Sequence, residues 1–543
     1  MEPTWHRTLE RLLDLYDPQR GLVRKSGVHG VGHSSPRLAE LLLRRGAPGD
    51  RDTAVRIIEE VLAQQYREPG IDEGRFPMLT PSSGADLNGT LFLIDPLVTI
   101  AEEHADLLPG DLSQRLDQAL RRAVVAVERR WEYEVFDIHR DFTAYSNIFA
   151  LYVRSLLQLA RHFDDDRLRR AGEGQWRRWF IHTSYHGVDE FVSPNYNAIV
   201  LNALRAMRAI APSDAARAEM AMMHAYLLAL QFGLHHPRLG LPVSGVSRDY
   251  RRFLDPGTGG VVDPDDDDDT GGRAPAAVLE EYRHRQYPYR ASGRAGITPF
   301  RFATWQTNRG GLGSMTGGHY FWQQIHLMAA VGNAPAERAI AYLNGDRMNL
   351  LNGWVAQADH RALCLTARTT LSYYHTQLRE RPADLPAPRS KPVCLGLVGD
   401  WAIEQADDEG IILRAYGHAL HVHPFAIDDG RIQPNRWRED VVEIGGHSVR
   451  ALRAEDHWTW AGCVVDLRPD ADGRPQRPDL SVTDDPTRLV LTERGGLRID
   501  LTRLPSGECV ETYDRDPRTL PLLTTPAYTL QPGELTWRAA QPV

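Results

Sequence analysis

Apolar residues in the first part of the chain recur every three or four positions, in runs broken by short polar stretches. This is the spacing of one buried helical face. It predicts helices over Trp5–Leu15, Leu38–Leu43, Ala54–Gln65, Leu91–Ala105, Leu112–Trp131, Ile148–Phe163, Leu168–Phe180, Ala198–Ile210 and Ala215–Phe232. The breaks, such as Gly70–Thr90 and Ala211–Asp214, are rich in Gly, Pro, Asp and Ser. Consecutive helical hairpins of this kind can bundle, stack as a solenoid or close into an α/α toroid. No fixed-period repeat is present, and the polar, aromatic loops come at every second connection, as a shared rim requires. The toroid, closed or incomplete, is therefore the expected first domain.

The helical period stops between His235 and Thr316, where His235-His236-Pro237, a Gly- and Asp-rich stretch Asp255–Gly272 and an Arg- and Tyr-rich piece Tyr282–Arg294 follow one another. After about Tyr320 the period moves towards two. Tyr320–Ala330, Ala362–Tyr374, Ile411–His423, Val441–Leu452, Trp458–Leu467 and Leu489–Leu501 are rich in β-branched and aromatic residues and bounded by turn formers. Alternation of that kind predicts an antiparallel β-sandwich. The expected fold class is α+β multidomain, with a helical domain over residues 1–300 and a sandwich over 301–543.

A length of 543 residues suits two domains, and 42% hydrophobic with 25% charged residues is the composition of a water-soluble globular chain. The net charge of −9 gives no basic field for nucleic acid. All but two of the 63 basic side chains are Arg, the exceptions being Lys25 and Lys391. Genomic base composition accounts for such a bias; so does a need to hold anions, because Arg grips carboxylates and phosphates through a planar fork. Cys364, Cys394, Cys463 and Cys509 lack CxxC spacing and are expected as buried thiols. The amino terminus shows no basic segment leading into an apolar run, and no run is long enough to span a membrane. The expectation is a cytoplasmic protein without a membrane or nucleic-acid partner.

The densest chemistry lies in Ile181-His-Thr-Ser-Tyr-His-Gly-Val-Asp-Glu-Phe-Val-Ser-Pro-Asn-Tyr-Asn197, expected as a loop between two helices. Pro194 fits a first helical turn, which makes Ser193 the natural N-cap. His182, Tyr185, His186, Asn195 and Tyr196 crowd this helix mouth, where binding and catalytic groups concentrate. Upstream, Tyr145 and Asn147 open the Ile148 helix; Asn147 can cap it or offer its amide to a ligand. Downstream, Arg248 and Tyr250 lie in a loop suited to an anionic substrate, or Arg248 pairs with Asp249 at the surface. Gly-rich sequence around Trp305, Asn308 and Arg309 either lets the backbone approach a ligand or forms the turn entering the sheet.

His421 and His423 alternate along a predicted strand and share a face; with His418, His447 or His457 they form a candidate zinc site. The acidic run Asp265–Asp269 is a solvated loop or a calcium site. Asp164-Asp-Asp166 is better read as the cap of the Leu168 helix than as a metal cluster. No P-loop, dinucleotide fingerprint or Gly-x-Ser-x-Gly elbow occurs, which disfavours nucleotide and serine-hydrolase chemistry.

Helical hairpins followed by a sandwich, together with Gly74-Arg-Phe, Asp86-Leu-Asn88, Glu190-Phe-Val-Ser-Pro-Asn-Tyr196, Ser247-Arg-Asp-Tyr250 and Gly311-Leu-Gly-Ser314, resemble the heparinase II/III-like and alginate-lyase-like proteins. Relatives of that kind read Glu-Tyr-Asn-Ser-Pro-Thr-Tyr at the central motif, where this chain has Phe191 and Val192. The resemblance implies β-elimination from a uronic acid, with a Tyr or His as base and a Tyr as acid. It assigns Tyr196, with His182 or His186 as partner, to acid–base work. Asn147, Asn195 and Arg248 would neutralise the substrate carboxylate, and Tyr250 would line the cleft. The implied partner is an oligosaccharide or small anionic substrate, with no cofactor required. Three alternatives stand beside it. An intracellular biosynthetic enzyme can eliminate or cyclise a small metabolite on the same fold. A glycoside hydrolase can draw its carboxylates from Asp189, Glu190, Asp86 or Asp95. A non-catalytic binder can stack sugars on Trp305 and Tyr185.

Overall fold

The computed structural model describes residues 4–25, 27–32, 34–81, 84–133, 146–188, 190–193, 196–246, 274–296, 300–316, 325–345, 351–368, 393–407, 410–444, 447–454, 460–469, 477–503, 509–512, 516–533, 535 and 537–539. Its contacts divide the chain into two bodies. Met1–Phe180 with Asn202–Met220 forms the first, and Ile181–Leu201 with Ala221–Val543 the second.

The described helices are α1 (Thr4–Asp14), α2 (Ser34–Arg45), α3 (Asp50–Ala63), α4 (Leu87–Glu103), α5 (Gly110–Tyr133), α6 (Ser146–Phe163), α7 (Asp166–His186), α8 (Tyr196–Ala209), α9 (Asp214–Leu234) and α10 (Ala276–Arg283). The apolar spacing set nine of these, and local capping sets their starts. The Asp86 carboxylate accepts the Asn88 and Gly89 amides at 2.7 and 3.1 Å, which fixes the entry to α4. Asp165 does the same for α7, accepting from Arg167 and Leu168, so the acidic triplet is a cap.

Packing in the first body runs in two rows. α2 lies against α3 and α4, α4 against α5 and α6, and α5 also touches α3 and α6. α6 is buried continuously from Ser146 to Ala160, whereas α5 alternates buried and open positions along its length. One row is thus enclosed and the other faces outward on one side, the layering expected of stacked α/α hairpins.

The second body is built on antiparallel strands. Among the described residues its largest sheet has eleven strands, with Gly310–Thr316, Phe300–Gln306 and Tyr289–Ala295 near the middle and Trp437–Ile444 and Trp537–Ala539 at the edges. A seven-stranded sheet centred on Trp460–Pro469 and His418–Asp428 faces it. Between them lies a core containing Trp305, Leu312, Val331, Leu395, Trp401, Leu413, Leu420, Val422 and Val465. The sandwich has a third layer that the periodicity did not reveal. A four-stranded sheet, Leu480–Asp484 to Cys509–Glu511, buries Leu489, Leu491, Ile499 and Leu501 against Trp354, Leu363, Phe425 and Ile427 on the outer face of the seven-stranded sheet. Each fully buried Leu or Ile here contributes roughly 1.5–3 kcal/mol.

The long strands of the large sheet begin at Tyr289, earlier than the change of period near Tyr320 suggested, and short two- to four-residue strands occur before it, from Tyr16–Asp17 to Leu241–Pro242. The chain between α9 and the sheet is also ordered by packing: Leu239, Leu241, Val243 and Val246 cover Met328, Ala330, Ile340 and Tyr342 on the back of the large sheet. This explains the glycines around position 312. A Cβ on Gly313 would stand 2.3 Å from the Val243 carbonyl oxygen, so the small residue admits another stretch of backbone. All four cysteines are buried and none is in a disulfide, and burial pushes the Cys364 thiol well up. No described helix is long and apolar enough to cross a membrane.

Candidate active site at two helix ends

The central motif, expected as a loop from Ile181 onward, begins as helix. Nothing in Ile181-His-Thr-Ser-Tyr-His186 breaks the period, and α7 runs on to His186. Gly187 ends it with φ +77° and an amide that donates to the Thr183 carbonyl at 2.8 Å, a left-handed C-terminal cap. A side chain is also excluded there by space, since a Cβ would lie 3.1 Å from the Tyr226 hydroxyl and 3.2 Å from the Ala295 Cα.

His182 and His186 are therefore one helical turn apart rather than in a loop. Their ring centroids are 4.9 Å apart, with planes inclined by 46°. His182 is buried and His186 half-buried. Five residues after Gly187 the backbone turns at Val192, which has φ +48°. Ser193 then caps α8: its carbonyl accepts the Tyr196 and Asn197 amides at 3.2 and 3.0 Å, and its hydroxyl accepts from Tyr196 at 3.3 Å. Tyr196 is the first residue of α8 and half-buried; Glu190 and Asn197 are buried.

Ile181–Leu201 belongs to the sheet-bearing body, and its anchors are identifiable. The Phe191 ring is fully enclosed, stacked 4.3 Å from Phe302 and edge-on to Phe300. The Gly533 amide donates to the Ser184 carbonyl at 2.6 Å. Arg294, only 1% exposed, donates to the carbonyls of Tyr185 and Arg518 at 2.8 Å each and to Leu520 at 3.0 Å. Burial lowers its pKa, offset in part by Tyr226 and Asp516. Sequence reading passed over this residue; its one sign was the Arg-rich piece ending at position 294.

The remaining expectations divide clearly. Tyr145, Asn195, Arg248 and Tyr250 lie outside the described residues, as do Asp189, His457 and the acidic run at 265–269. Asn147 is the second residue of α6 and wholly buried, in the helical body. Tyr185 is exposed. Trp305 is a core residue of the sandwich, in ring contact with His360 at 5.5 Å, and so is packed rather than offered to a sugar. Asn308 and Arg309 are exposed in the turn between Phe300–Gln306 and Gly310–Thr316, where Arg309 bonds Asn333. The turn is held by the Thr307 hydroxyl and needs no ligand.

Two carboxylates considered for hydrolysis have structural work. Asp86 is the α4 cap, and Asp95 bridges to α6 through Gln158 at 2.6 Å and Arg154 at 3.5 Å. Burial pushes the Asp95 carboxyl up, but Arg154 and Gln158 outweigh it and hold it below the usual range, which is unsuited to a proton donor. His421 and His423 do face the same way on their strand, yet among the described residues no three His, Cys, Asp or Glu side chains converge on a metal position.

No protein-family model matches the chain, and no curated protein matches it. Two solved structures are similar to it over most of its length. One is heparinase III, with 9% identity, a TM-score of 0.37, and 88% of this chain and 86% of that one covered. The other is the chondroitin AC lyase of Streptomyces coelicolor A3 in complex with chondroitin sulphate, with 11% identity, a TM-score of 0.47, and 92% and 85% covered.

Proposed function

We propose that this protein is a carbon–oxygen lyase acting on an anionic, uronic-acid-like saccharide, with Tyr196 and the His182/His186 pair as its acid–base groups. The observation that supports this is the placement of two neighbouring His at the capped end of one helix and a Tyr at the capped start of the next. Groups held on rigid elements keep the geometry that proton transfer needs.

In this reading a base takes the proton from the carbon next to the carboxylate. The electron pair forms a double bond to the neighbouring carbon, and that carbon's bond to the leaving oxygen breaks. A Tyr or His returns a proton to the oxygen, and no water is consumed. Tyr196 and one His share these two transfers. The carboxylate needs neutral or cationic donors to make the adjacent carbon acidic, and Asn147, Asn195 and Arg248 are the sequence's candidates for that task.

Tyr196→Phe removes only the hydroxyl and leaves the helix and its cap in place. It is expected to lower kcat by roughly 10²–10⁴-fold, the span of general acid–base catalysis. His182→Gln and His186→Gln, assayed separately, identify the partner as the one with the larger loss. Full turnover by Tyr196→Phe contradicts the assignment.

A further inference from the structure

Away from the helix ends, the sheet body holds a cavity of about 280 Å³ where the open end of the hairpin His418–Asp428 and Arg431–Pro434, away from its turn, meets the approach to Leu480–Asp484. Its polar lining is Asn435, Gln433, His423, Asp407, Arg477 and Asp479. Asn435 is the informative member. It is 5% exposed, and neither its amide nitrogen nor its amide oxygen has a hydrogen-bond partner. Buried amides are almost always satisfied, so one that lines a cavity with both ends unmet marks a place where something else supplies a donor and an acceptor.

A second feature keeps the space open. Gly410, the strand partner of Asp407, has φ +144°, and a Cβ on it would come 3.0 Å from the His423 Nδ1. A side chain there would crowd the His423 ring, which lines the cavity with Gly410.

The lining also selects among ligands. Two carboxylates against one guanidinium give no cationic surplus, and Asp479 is already paired with Arg494 at 2.9 Å. An anion gains little there. Hydroxyl groups both donate and accept, which matches an amide beside carboxylates and a guanidinium, while Pro424, Pro434 and Pro478 offer flat apolar surface to C–H faces. The volume lies just below the roughly 300–1,000 Å³ of small-molecule sites, room for a single ring.

We propose that this cavity is a second saccharide site, which binds one neutral sugar ring through the Asn435 amide. It is separate from the elimination chemistry and stands whether or not that reading holds.

The test is titration calorimetry of the full chain with methyl β-D-glucoside, methyl β-D-galactoside, a neutral disaccharide and glucuronate. The wild type is compared with Asn435→Leu and with the exposed-rim variant Arg477→Ala. Binding of a neutral glycoside that weakens at least tenfold in Asn435→Leu, and less in Arg477→Ala, supports the proposal. Tighter binding of the disaccharide indicates a polymer as the source; equal binding indicates a free sugar. Absence of heat from every neutral glycoside, preference for glucuronate, or binding unchanged in both variants overturns it. Asn435→Leu removes an unmet amide, and circular dichroism that matches wild type establishes that it folds.

Discussion

Val192 is a β-branched residue with φ +48°, a conformation that suits Gly and Asn and strains Val. It is also buried, two residues after the Glu190 carboxylate and one before the Ser193 cap, so the surrounding packing holds it there. The family resemblance places an Asn at this position, and Asn is the non-glycine residue that tolerates left-handed backbone best. Phe191, packed against Phe300 and Phe302, anchors the turn from the preceding position. Val192→Asn is expected to raise the thermal midpoint, relieving strain of about 1 kcal/mol, with activity retained. A lowered midpoint contradicts this reading. Phe191→Ala should have the opposite effect, costing about 3–5 kcal/mol as an aromatic truncated in a core.

At the scale of elements, α10 and the chain after it are fastened by Arg285. Its guanidinium is fully enclosed, pairs with Glu281 at 2.9 and 3.0 Å, donates to the carbonyls of His235 and Phe232 at 2.6 and 2.8 Å, and lies 3.8 Å from the Tyr289 ring centre. Arg285→Met leaves Glu281 buried without its partner and is expected to cost about 3–5 kcal/mol, read from denaturant midpoints; adding Glu281→Leu should recover most of that. The neighbouring His235 and His236 give a pH dependence. Burial, with the nearby Arg285 charge, lowers His235 to about 3; burial lowers His236 to about 4 against the opposing bond to the Thr307 carbonyl, and the Arg285 charge adds to the lowering. The unfolded chain takes up these protons near the ordinary 6.5 and the folded chain only near 4 and 3, so stability is full above about pH 6.5 and falls as pH drops towards 3. The thermal midpoint of wild type should therefore fall more steeply over that window than that of His235→Gln/His236→Gln. Equal slopes contradict it. None of this was legible in the sequence, where His235-His236-Pro237 and the Arg-rich piece looked irregular because buried polar networks have no period. The helices were legible, since one apolar stripe per helix is enough to betray it. α7 overran its predicted end because only Gly187, and no change in pattern, stops it.

At the scale of the whole molecule, the helical body and the layered sheet body match the order read from periodicity, and the motif at 181–201 belongs to the second of them. A strand reads the same whether it lies in the first, second or third layer, which is why the third sheet was missed. Trp305 shows the same limit for site residues: an aromatic on a strand beside glycines has equal sequence support as a ligand platform and as core, and its burial between the sheets decides for core. The helix-mouth cluster, expected as a loop, lies instead at two helix ends. Its chemistry is tested most directly by ultraviolet absorbance of the purified protein mixed with uronic-acid oligosaccharides, with products weighed by mass spectrometry. The account predicts rising absorbance from a new conjugated double bond, fragments whose masses sum to the substrate without added water, and loss of both in Tyr196→Phe. Fragments carrying one added water, with no rise in absorbance, would contradict it and identify a hydrolase.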